Sequence, residues 1–224
     1  MALKDAFQFL EELKNNNNKE WFHDHKKQYE LFKKEYHSLI AVLLEEMKKG
    51  DPMLHDLEVK NCTFRINRDI RFAKDKSPYK TNLGIWFSTR KNHKNAPGYY
   101  VHYEKGKSFI AGGLYCPEPE EVKKIRKEIA FFHDDLDEIL NDETFKNTFH
   151  ALDRDEQNVL KKAPKDFEPN HPAIEHLKLK SYTATFTIKD TDFFEANFAK
   201  KITEKLLLLK PLNEFLNRAL ETVE

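Results

Sequence analysis

Glycine is scarce in this chain, at six residues in 224. No Gly-x-Gly-x-x-Gly or Walker pattern occurs among them, so the common glycine-built phosphate cradles are excluded. No Gly-x-Ser-x-Gly elbow is present either, which leaves an α/β-hydrolase without support. The two cysteines, Cys62 and Cys116, match no metal or redox spacing and read as reduced thiols. Charge of one sign is missing as well. With 38 basic and 38 acidic residues the formal net charge is zero, so long-range steering toward DNA or an anionic membrane is weak. No apolar run approaches the roughly 20 residues that span a bilayer. The opening MALKDAFQFLEELK threads acids and lysines through its apolar residues and does not read as a signal peptide. A cytoplasmic protein is the expectation.

Phenylalanine is plentiful, at 18 residues, and hydrophobic residues make up 39%. The core is therefore expected to be largely aromatic. The apolar period is helical over Asp5 to Lys14 and again over Lys19 to Lys49. The second stretch would be a rod of about 45 Å at about 1.5 Å per residue. Asn15 to Asn18 separate the two, and Asn18 is a good N-cap. Trp21-Phe22 is expected to anchor the long helix to the sheet.

The period then falls to two. Strands are expected at Phe64 to Phe72, Asn82 to Ser88, Tyr99 to Glu104, Lys107 to Gly113 and Ser181 to Ile188. Lys105-Gly106 would close a hairpin in which Tyr99 covers Gly112. Arg90 to Pro97 reads as a polar connection. Helices follow from Pro117 to Pro119, over Asp134 to Leu152, from Pro172, from an Asp190 cap, and from Pro211. The reading is one α+β domain over residues 1–224, a mostly antiparallel mixed sheet covered by N-terminal and C-terminal helices.

Within this neutral chain, Phe64 to Thr81 carries six basic residues against two acidic ones, an excess of four. As a regular strand it would put Arg68 on the apolar face with Phe64, Ile66, Ile70 and Phe72. Arg65, Asn67, Asp69 and Arg71 would take the other face. A buried, unpaired arginine costs several kcal/mol. Arg68 must therefore pair with a buried acid, be turned outward by a bulge, or line a pocket.

The run Arg65-x-x-Arg68-Asp69-x-Arg71-Phe72, followed by Asp75-Lys76 and Tyr79, resembles the hallmark of the bacterial domain of unknown function 2461 family. Lys19-Glu20-Trp21-Phe22, the Ser108-Phe109 to Gly112-Gly113 segment and His171-Pro172 are similar to it as well. The resemblance runs over nearly the whole chain and implies a bacterial origin. It implies no activity, cofactor or partner.

Read from the residues alone, Arg65, Arg68, Asp69, Arg71, Lys76, Tyr79 and Lys80 form a candidate anion site. Arginine offers a planar fork to carboxylate or phosphate, lysine adds a point charge, and Tyr79 can donate or stack. Three readings stay open: a protein that binds a small anionic ligand, an ion-pair network in an interaction protein, and a nucleic-acid module stacking bases on Tyr79, Trp86, Tyr99 and Tyr100. Zero net charge argues against the last. Catalytic residues are not assignable. The ten histidines lack ligand spacing, since His23 and His25 point to different helix faces and His171 and His176 are poorly placed. No metal or cofactor is expected. His102 is read chiefly as a cross-strand residue.

Overall fold

The computed structural model describes residues 3–90 and 95–221. These fall into two compact units. The first comprises residues 3–87, 100–110 and 187–203, and the second comprises 88–90, 95–99, 111–186 and 204–221. The fold is α+β. Its four described strands are β1 (Leu83–Ser88), β2 (Gly98–Tyr103), β3 (Phe109–Leu114) and β4 (Tyr182–Thr187). They hydrogen-bond antiparallel in that order.

The first unit begins with helix α1 (Lys4–Asn15), whose stripe of Ala6, Phe9, Leu10 and Leu13 is buried. The Asn18 side chain accepts from Trp21 N–H at 2.9 Å and starts α2 (Lys19–Asp24). The expected rod is broken one turn later. His25 leaves helical geometry (φ −102°, ψ 22°), its ring stacks on Trp21 at 3.9 Å, and its Nδ1 lies 2.8 Å from Trp21 O. Helix α3 (Lys26–Gly50) then runs on, burying Phe32, Tyr36, Leu39, Ile40, Leu43, Leu44 and Met47. The aromatic core expected from composition is present. Phe7 stacks on Tyr103 at 3.5 Å, and Phe193 meets both rings edge-on at 5.4 and 5.2 Å.

Asp190 does not cap a long helix. Its carboxylate accepts from Gly106 N–H and Ser108 Oγ–H, both at 2.7 Å, and so closes the β2–β3 turn. A 3-10 turn at Asp190–Phe194 leaves Phe194 half exposed, and α8 (Phe198–Leu207) starts only after it.

The second unit packs α4 (Pro119–Phe131), α5 (His133–Asn141), α6 (Glu143–Phe149), α7 (Ile174–Leu177) and α9 (Lys210–Glu221). Ile125, Ile129, Leu136, Phe145, Leu212 and Leu216 are its buried apolar centre. Glu118 and Glu121 form a capping box on α4. Phe132 sits just past the helix end and is 47% exposed. Arg218 clasps buried Glu128 at 2.5 Å and Asp135 at 2.7 Å. Arg90 holds Asn217 and Glu221; residues 91–94 of the expected polar connection lie outside the described chain. The threonines of β4 face inward to an acid, with Thr183 and Thr185 both donating to Asp153 Oδ2 at 2.7 and 2.8 Å.

The glycine pair answers to close packing. A Cβ at Gly112 would meet Leu209 at 2.7 Å, so Leu209, rather than Tyr99, covers that backbone. Gly113 has φ +112°, and a Cβ there would lie 2.0 Å from the Tyr182 carbonyl oxygen. Gly106 has φ +75° in the hairpin turn with nothing within 4 Å of a Cβ. Gly113→Ala is therefore expected to lose about 3 kcal/mol or more through strain and backbone overlap together. Gly106→Ala should lose about 1–2 kcal/mol from the left-handed conformation alone. Urea denaturation of both variants checks the contrast, and equal losses would count against it.

Candidate functional site

The basic stretch is not a strand. Residues 63–81 run as an irregular arm with two isolated antiparallel bridges, Thr63 to Ile85 and Asn67 to Tyr79. Arg68 N–H donates to Pro78 O at 2.9 Å and Lys80 N–H to Ile66 O at 2.8 Å, which closes the arm on itself. The expected apolar face does not bury. Phe64 is 45% exposed and Phe72 is 95% exposed. The cause lies in arginines at 65, 68 and 71, which a strand would place on both faces. A ladder here would have to desolvate them, and local carboxylates and carbonyls satisfy Arg68 and Arg71 instead.

Those local partners sort the candidate residues. Arg68 donates from Nη1 to Asp75 Oδ2 at 2.5 Å and to Ser77 O at 3.1 Å. Its partner acid is exposed, contrary to the buried acid that a regular strand would demand. Asp75 also accepts from Ser77 N–H and Oγ–H. The two Ser77 bonds, then Arg68, pull the Asp75 carboxyl down to about 2. Arg71 forms a two-pronged pair with Asp69 (2.9 and 2.6 Å), which lowers the Asp69 pKa. Lys76 Nζ donates to Ile70 O at 2.9 Å. Tyr79 stacks its ring on Phe22 at 4.0 Å.

The arm is tied down at Tyr79 by the asparagine turn. Asn17 Nδ2 donates to Tyr79 O at 2.9 Å, and Tyr79 N–H donates to Asn17 Oδ1 at 3.1 Å. Phe22 and Trp21 thus anchor to the arm and to α1, where Trp21 lies 5.9 Å from Phe9, and not to the sheet as expected.

Beside the arm, within the first unit, opens a cleft of about 620 Å³. Arg65, Arg68, Asp69 and Lys80 of the candidate set line it. Arg71, Lys76 and Tyr79 do not, being spent on the arm's own structure. Helix α3 adds Tyr29, Lys33, Tyr36 and His37, and the sheet adds Gly84, Tyr100 and His102. The α3 residues were overlooked in the sequence, although 29, 33, 36 and 37 share a helix face. Tyr100 and His102 alternate on one strand face, a signal equally available beforehand.

The cleft wall is rigidly built. Tyr36 Oη donates to Gly84 O at 2.5 Å and accepts from Phe64 N–H at 3.1 Å. Tyr100 Oη lies 3.0 Å from His102 Nδ1. A Cβ at Gly84 would stand 2.6 Å from Tyr100 Oη, so the bare glycine is what lets that ring lie across β1. Burial pushes Tyr36 and Tyr100 up to about 12, and burial also lowers His102 against the opposing pull of Glu104. Both phenols are thus protonated near neutrality.

The cations differ in what they have. Lys33 pairs with Glu30 at 2.7 Å, and Arg68 with Asp75. Among the described residues, Arg65 has no hydrogen-bond or ion-pair partner. The Lys80 ammonium has no carboxylate partner and lies 5.2 Å over the Phe64 ring. Burial, then the Arg65 charge, holds Lys80 below the ordinary lysine range. No cluster of three or more metal-ligating acids, histidines or cysteines occurs among the described residues. No helix there is long and apolar enough to cross a membrane.

An α+β protein with a basic, self-clasped arm beside a cleft is the class that fold and site define. Residues 5–215 match the conserved hypothetical protein (DUF2461) family, and the chain belongs to it. No curated protein and no solved structure matches the chain.

Asn17→Ala removes both bonds to the Tyr79 backbone. It is expected to cost about 2 kcal/mol, at about 1 kcal/mol for each bond, and to speed amide exchange at Lys80. Unchanged exchange there would show that the arm is held by other contacts.

Proposed function

We propose that this chain binds a small anionic ligand, bearing phosphate or carboxylate, in the cleft beside the arm. The observation that carries the reading is the pair Arg65 and Lys80. Two cations line one cleft without an ion-pair partner among the described residues, and burial, then the Arg65 charge, lowers the Lys80 pKa. An anion between them would replace that repulsion with attraction and charge-assisted hydrogen bonds. The arm's other arginine in the cleft, Arg68, is already neutralised by Asp75, which leaves Arg65 and Lys80 as the binding charges.

Titration calorimetry with inorganic phosphate tests this. Binding is expected at low ionic strength. It should weaken at least tenfold in Arg65→Ala and again in Lys80→Ala, while Arg71→Ala, whose target lies outside the cleft, should leave it within about twofold. Binding that survives the double variant would sink the proposal.

The pH dependence follows from Lys80. Its pKa is depressed in the free protein, and a bound anion raises it. Affinity is full while Lys80 is protonated in both states. It falls as pH rises through the depressed free-state pKa, because binding must then take up a proton, and it levels off above the raised bound-state pKa. Lys80→Ala should flatten that alkaline fall, and a profile unchanged by the substitution would assign the fall to another group.

A second reading rests on the arm's tip. Phe72 is 95% exposed, with Arg71 6.0 Å over its ring and Lys74 exposed nearby, a small platform for a nucleic-acid base. Single-stranded DNA binding that falls with salt and is lost in Phe72→Ala would support it.

A further inference from the structure

We infer that the ligand is an anion joined to a planar aromatic ring, of the nucleoside monophosphate class. This rests on the anion reading and adds what holds the rest of the molecule. The cleft has two chemically distinct parts. One is the cation pair Arg65 and Lys80. The other is aromatic: Tyr29, Phe64 and Tyr100 are only partly buried and line the same space.

Phe64 is the telling member. A phenylalanine at 45% exposure, on a segment that could have turned it inward, is held outward by its own backbone, whose N–H donates to buried Tyr36 Oη. Its ring sits edge-on to Tyr100 at 6.2 Å and beneath the Lys80 ammonium. Tyr100 in turn is fixed by His102 and by the absence of a side chain at Gly84. Two immobilised, partly wet rings set at right angles next to a cation pair suit a ligand that presents a π-face to one ring while its charged group reaches the cations. A sugar phosphate or a simple dicarboxylate would leave those faces in water.

The polar edge of such a ring also has a counterpart. Asn82 lines the cleft, and its side-chain amide has no hydrogen-bond partner among the described residues. A primary amide offers a donor and an acceptor side by side, the pattern that a heteroaromatic ring with ring nitrogen and amino or oxo groups can meet. The volume of about 620 Å³ lies within the usual range for small-molecule sites, about 300–1,000 Å³.

Titration calorimetry with the full chain tests the inference, using AMP, GMP, CMP, UMP, ribose 5-phosphate and inorganic phosphate as probes. At least one nucleoside monophosphate is expected to bind roughly 10- to 100-fold more tightly than ribose 5-phosphate. Phe64→Ala should remove most of that difference by lowering nucleotide affinity far more than ribose 5-phosphate affinity. Phe64→Leu, which keeps apolar volume without a π-face and guards against a folding defect, should do the same. If ribose 5-phosphate binds as tightly as all four nucleotides, or if both Phe64 variants keep the difference, the aromatic inference is overturned and the anion reading stands. If neither inorganic phosphate nor ribose 5-phosphate binds, the anion reading fails and this inference falls with it.

Discussion

Asn17 grips Tyr79 by both backbone groups, and the arm's geometry depends on that grip. A chain segment in a sheet has its N–H and C=O groups satisfied by neighbours on a ladder. Among the described residues the arm has two isolated bridges, one of them made by the pair of bonds between 66–68 and 78–80. Its return leg needs a partner from outside, and a side-chain amide such as that of asparagine can donate and accept in the same plane as a peptide. Once Tyr79 is fixed there and stacked on Phe22, Lys80 is placed one residue on, at the cleft. Pro78 and Ile66 carbonyls then set the spacing to Arg68 and, with it, to Arg65.

The arm's ion pairs do different work from this grip. Arg71 and Asp69 are 77% and 45% exposed, and Asp75 is 63% exposed. Pairs so open to water add little to stability. Their weight lies in direction. Asp75, held by Ser77 and Arg68 together, fixes the bend of the arm, and Asp69 turns Arg71 away from the cleft.

Much of this was legible in the residues, for reasons that can be named. The α+β class, the Asn18 cap and the α4 start follow from period and capping chemistry, which act within a few residues. The candidate site was read from charge density at 64–81. The expected strand is not formed, although apolar residues alternate there, because arginines at 65, 68 and 71 would fall on both of its faces. Arg68 and Arg71 find cheap local partners once Asp75, Ser77 and Asp69 fold back on them. Phe64 and Phe72 alternate like core residues, and on the arm they face water. Asn17, Asn82 and the α3 face could enter the site only through tertiary approach. Asp190 illustrates the same limit: a good cap by sequence, it is drawn off by the unpaired donors of the β2–β3 turn.

The distribution of charge within the arm is what separates a ligand site from a structural network. If neutralising the arginines were the whole of it, the exposed acids would be expected to spread over all the cations, since an exposed pair is nearly free to form or break. They are instead concentrated. Asp75 goes to Arg68 and Asp69, although it lines the cleft, goes to Arg71 with both oxygens, while Arg65 and Lys80 have no ion pair among the described residues. Lys80 is also the cation held partly out of water, where lack of a counter-charge is felt most, as its lowered pKa records. Exposed Arg71 and half-buried Arg68 thus each hold a carboxylate, while half-buried Lys80 holds none among the described residues, and the anion reading rests on that asymmetry.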